Sequence, residues 1–165
     1  MITSDAHRRY LVLEQGLGSI VINIVLNAGI AWLLFRGLDV VPLWGEQSIA
    51  GDTIATTLIL PFLTCLVVTR LAHREVRNGR FDAPAWRRSE HPILGRLPAK
   101  TLARAAVIAV VSLVAFAPPT ITALSWLGIA ELPFRTFLIF KAVYAGILAG
   151  LVAPPIALSA LGDAT

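Results

Sequence analysis

The chain has 165 residues, 56% of them hydrophobic and only 15% charged, with a formal net charge of +4. Soluble domains carry about 25% charged residues and disordered tails are poor in apolar ones, so both classes are excluded. A mean hydropathy of +0.75 points instead to an outer surface that faces lipid, and residues 1–165 read as a single membrane domain.

The first apolar segment covers residues 11–35, interrupted only by a few polar side chains. A membrane-spanning helix needs about 20 predominantly apolar residues. This segment is too long for a signal core and lacks a small-residue cleavage site, so it is expected to stay in the mature protein. Gln15, Ser19, Asn23 and Asn27 recur at intervals of four and therefore share one helical face. Such a stripe either joins helices by hydrogen bonds or lines a ligand chamber. Gly16 and Gly18 leave room for a neighbouring helix. Glu14, at the inner end, is a candidate proton-coupling carboxylate; its alternative role is to pair with Arg8, Arg9 or Arg104.

The second segment, residues 52–71, brings Asp52, Thr53, Thr56, Thr57 and Thr64. Pro61 has no N–H to donate, so it frees the carbonyl of Thr57. In lipid that oxygen needs an internal partner or a water-filled cavity. No breaker follows until Gly79, which predicts a helix projecting two turns beyond the apolar span. Residues 72–101 then form a basic loop holding Arg74, Arg77, Arg80, Arg87, Arg88, Arg96 and Lys100. Cytoplasmic loops collect Lys and Arg, so this loop and both termini are expected inside. Phe81, Trp86 and Ile93, interleaved with Arg and Pro, suit a segment lying on anionic lipid headgroups. Since topology and lipid account for the positive charge, no nucleic-acid partner is expected.

The third segment, residues 102–126, contains Pro118 and Pro119, which together free the carbonyls of Val114 and Ala115. A helix broken at this point is expected; the alternative is an early helix end followed by an outer loop over residues 120–128. The fourth segment, residues 133–158, carries Lys141, a charge well inside a span. Lys141 either pairs with Asp52 or meets an anionic ligand. By helical rise, Asn27, Pro61, Pro118 and Lys141 all fall about 10 to 14 Å below the outer face, which predicts a polar chamber in the outer half. Gly146 and Gly150 offer a Gly-x-x-x-Gly packing face. Ala117, Pro118 and Pro119 are echoed by Ala153, Pro154 and Pro155, a match that apolar sequence readily produces by chance.

The expected fold is an all-α integral membrane protein, a four-helix bundle with both ends in the cytoplasm and a Pro-broken third helix. Short outer connections predict that helices one and two are neighbours, as are three and four. The apolar residues 40–45 are expected to cap the outer end. Apart from Lys100 and Lys141 every basic residue is Arg, which suits a GC-rich bacterial source and its inner membrane.

Cys65 stands alone, and His7, His73 and His91 lack the spacing of a metal pair, so neither a metal site nor a cofactor is expected. No catalytic constellation is present, which leaves an enzyme the less favoured class. The favoured function is a small transporter, channel or carrier that binds an anionic or amphipathic ligand through Lys141, Asn23, Asn27, Asp52, Thr56, Thr57, Pro118 and Pro119. A homo-oligomer is expected to enclose the pathway. The alternative is a non-catalytic membrane subunit or scaffold of a larger complex.

Overall fold

A computed structural model describes residues 10–79, 92 and 94–163. The sequence readings on His7, Arg8, Arg9, Arg80, Phe81, Trp86, Arg87, Arg88, His91 and Ile93 lie outside the described residues. Four helices carry the fold: α1 Ser19–Phe35, α2 Ile49–Arg77, α3 Thr101–Trp126 and α4 Phe134–Leu161. α2, α3, α4 and the helical run Gln15–Phe35 that contains α1 are each long and apolar enough to cross a membrane. A π-helical stretch, Tyr10–Gly18, leads into α1. This wider winding coincides with Gly16 and Gly18, whose helix propensity is low.

Local chemistry sets the helix ends. The Ser48 hydroxyl accepts the Gly51 N–H at 3.1 Å and so caps α2. Past Asn78, Gly79 adopts φ +70° and ends α2 two turns beyond the apolar span, as expected. Gly128 takes φ +71° after α3, and Ile129 N–H reaches back to the Leu124 carbonyl at 3.1 Å. That is a Schellman closure, in which a left-handed residue lets the chain satisfy the last carbonyls of a helix.

The double prolines behave differently from expectation. Pro118 and Pro119 lie inside a continuous α3, and Pro154 and Pro155 inside a continuous α4. Neither helix unwinds or ends early at its pair. The prolines remove hydrogen-bond donors while the neighbouring turns keep helical form.

The helix neighbours are also not those the short connections predict. α4 packs against both α1 and α2, and α2 packs against α3. Contact between α1 and α2, or between α3 and α4, is marginal. The order across the molecule is therefore α1, α4, α2, α3, with α4 and α2 central. Small residues on α4 explain why it is chosen: a Cβ at Gly146 would meet Ile24 at 2.8 Å, and one at Gly150 would meet Ile20 at 2.8 Å. The Gly-x-x-x-Gly face thus docks α1 within the chain.

The main core joins Leu60, Cys65, Val68 and Ala72 of α2 with Ala145, Ala149, Ile156 and Ala160 of α4 and Ala105 of α3. A second cluster closes one end. There β1, Val40–Pro42, pairs antiparallel with β2, Glu131–Pro133, so the two short connections meet over the helices. Val41 and Leu43 point inward among Phe35, Ile49, Leu124 and Phe137, so this segment caps the end as its apolar sequence suggests. Large apolar side chains that remain exposed, among them Val25, Leu33, Val111, Val114 and Ile139, form the surface a bilayer would cover.

Candidate functional site

The site begins with Asp52, held in the first turn of α2 just past the Ser48 cap. A carboxylate is favoured there by the partial positive charge of a helix N-terminus. Lys141 reaches it from α4: Nζ donates to Asp52 Oδ2 at 2.6 Å and to the Thr56 hydroxyl. The two charged side chains are only 3% and 8% exposed. Of the two roles weighed for Lys141, the structure shows the pairing with Asp52. An ammonium carries three protons, and the third meets no acceptor among the described residues. The buried Thr53 hydroxyl, next to Asp52 in the chain, also lacks a partner among the described residues. Hydrogen-bonding capacity is therefore left unused around the ion pair.

This pair opens onto a half-open cleft of about 500 Å³ between α1 and α2. The space exists because these two helices barely touch. Ser19, Asn23 and Asn27 line it from α1, Gln15 from the π-helical stretch before it, and Asp52, Thr56 and Thr64 from α2. Its length differs from an outer-half chamber. The lining runs from Gln15, in the stretch leading into α1, to Leu34 on one side and from Asp52 to Leu71 on α2, the latter about 28 Å at the helical rise. Ile22, Leu26, Ile59, Leu63 and Val67 supply apolar surface along the way.

The amide stripe bonds along its own helix. Asn23 Nδ2 donates to the Ser19 carbonyl at 2.9 Å, and Asn27 Nδ2 donates to the Asn23 carbonyl at 3.0 Å. These bonds run along α1 without tying it to another helix, and the stripe faces the cleft.

Three of the remaining sequence candidates stand elsewhere. Thr57 turns away from the cleft, its hydroxyl 2.6 Å from the Thr53 carbonyl and 2.5 Å from the Tyr144 hydroxyl. Tyr144 thereby joins α2 and α4 behind the ion pair. Pro118 and Pro119 are exposed on α3 and do not line the cleft. The Glu14 side chain lies outside the described residues.

Sequence reasoning missed two features. Tyr144 follows Lys141 by three residues, so it shares a helix face with it; that spacing is its one sequence signal. At the opposite end from the strands, Arg104 pairs with Asp163 while only 1% exposed, with the Thr69 hydroxyl 3.5 Å away. His73 Nε2 donates to the Ala160 carbonyl at 3.1 Å beside it. No sequence signal announces a contact between residues 59 positions apart.

Among the described residues, no group of three or more His, Cys, Asp or Glu side chains converges on a metal-sized site. No protein-family model, curated protein or solved structure matches the chain.

Proposed function

We propose that the chain is a small membrane carrier for an amphipathic ligand held in the α1–α2 cleft. The polar end of the ligand sits at Lys141, Asp52 and Thr56, with Asn23 and Asn27 along one side. One observation carries this reading: a buried ion pair with unused hydrogen-bonding capacity opens onto a long, mostly apolar cleft that carries polar side chains on both walls. A purely structural ion pair needs no such opening. Ionisable groups inside a span belong by default to a functional pathway.

In this reading the basic loop and both termini face the cytoplasm of a bacterial inner membrane, supported by the Lys and Arg bias. Trp32, Trp44 and Trp126, all exposed near the strand-bearing end, suit the outer interface. The basic loop rests on anionic headgroups. Thr57 braces the wall behind the ion pair, and Pro118 and Pro119 supply a point of flexure in α3. Glu14 adjoins Gln15 at the inner end of the cleft, which supports assigning it any proton coupling. Gly146 and Gly150 are occupied by α1, so a homo-oligomer uses another face.

The second reading, a non-catalytic subunit or scaffold, is favoured by the low burial of α1, 11% over its most apolar window. Under it, another protein's helix fills the cleft. Native mass spectrometry of the protein gently extracted from its membrane separates the two. The carrier reading expects a retained lipid-sized molecule that is lost in the Asp52→Leu/Lys141→Met double variant, whose apolar pair leaves no unpaired charge. A stoichiometric second polypeptide and no small molecule would overturn it.

A further inference from the structure

We infer that the head site of the cleft selects zwitterionic phospholipids, whose headgroups carry both an ammonium and a phosphate, over anionic ones. The inference rests on the carrier reading and deepens it.

The argument is one of charge. Lys141 and Asp52 already neutralise each other at 2.6 Å, nearly out of contact with solvent. An anionic headgroup arriving alone would place two negative groups on one ammonium and leave a net negative charge in a low-dielectric site. A cationic group alone would leave a net positive charge. Either is costly, because a buried charge without its own partner keeps most of its desolvation penalty. A zwitterion avoids both outcomes. Its phosphate takes Lys141 and its ammonium takes Asp52, so one internal pair is exchanged for two intermolecular pairs and the site stays neutral. The third ammonium proton of Lys141 and the Thr56 hydroxyl, both at the cleft wall, are donors suited to phosphate oxygens.

The cleft selects the lipid source over a free zwitterion. It lies between two helices that barely touch and runs about 28 Å beside the ion pair. Ile22, Leu26, Ile59, Leu63 and Val67 line that length, which suits an acyl chain and gives a water-soluble headgroup nothing to bind.

The test offers the full-length protein in detergent equal amounts of phosphatidylethanolamine and phosphatidylglycerol with the same acyl chains, read by native mass spectrometry. Phosphatidylethanolamine adducts should exceed phosphatidylglycerol adducts by about fivefold or more, a difference of about 1 kcal/mol. Asp52→Asn removes the negative partner and should invert the preference. The exchange variant Asp52→Lys/Lys141→Asp keeps an opposite pair and should restore it, which separates charge matching from misfolding. Equal or reversed preference in the unmodified chain, or an unchanged preference in Asp52→Asn, overturns the inference while lipid binding itself survives. Loss of both lipids alike overturns the carrier reading as well. Displacement of the lipid by millimolar glycerophosphoethanolamine would show that the headgroup suffices and overturn the lipid assignment.

Discussion

A lysine drawn into a bilayer needs an opposite charge within reach of its stem, and Lys141 finds Asp52 across two helices. Removing one member leaves the other buried and unpaired, at a cost of about 3–5 kcal/mol. Lys141→Ala should therefore lower the unfolding temperature in detergent markedly. The Asp52→Leu/Lys141→Met pair should recover most of that loss, and equal damage from the single and double variants would refute the pairing. At this scale much of the site could be read in advance. Lys141, Asp52, Asn23 and Asn27 are conspicuous because polar side chains are rare in apolar spans, and the structure brings them to one cleft. Tyr144 escaped notice because an aromatic residue in an apolar run resembles core packing. Pro118 and Pro119 drew attention through their effect on the backbone, which does not determine the direction in which a residue faces.

The number of long apolar helices was readable in the sequence, and among the described residues the structure has four that are long and apolar enough to cross a membrane. Their neighbours were not readable, because a lipid-facing flank and a packed flank are equally apolar and leave no amphipathic contrast to read. Close approach is encoded in small residues, and here it decides that α1 sits on α4. Gly150→Leu should push α1 away, costing about 1–3 kcal/mol in overpacking and opening the cleft enough to lose bound lipid. Gly29→Leu on α1 is the matched control, since a Cβ there meets nothing within 4 Å. Thermal unfolding and lipid retention measured on both variants check this; similar behaviour of the two would remove the glycine seam from the account. The strand pair was equally hidden, because three residues with a proline in each strand carry no alternation to recognise.

At the scale of the whole molecule, a strand pair closes one end and the Arg104–Asp163 bridge ties the other. The proposed direction places the strands outside. It can be tested by thiol labelling with little interference, since Cys65 is fully buried. A cysteine at Glu46, exposed beside the strands, should react with a membrane-impermeant maleimide in intact cells. One at Lys100, exposed at the other end, should react only after lysis, and the reverse pattern would invert the topology.

The helix order also has a consequence for biogenesis. α1 leaves the ribosome before α4, yet its docking seam is Gly146 and Gly150 of α4. Until α4 has been synthesised and inserted, α1 resides in the membrane with Asn23 and Asn27 unsheltered by their final neighbours. Amides that bond back along their own helix make that wait tolerable, because the stripe carries its own hydrogen-bond partners from the moment it enters the bilayer.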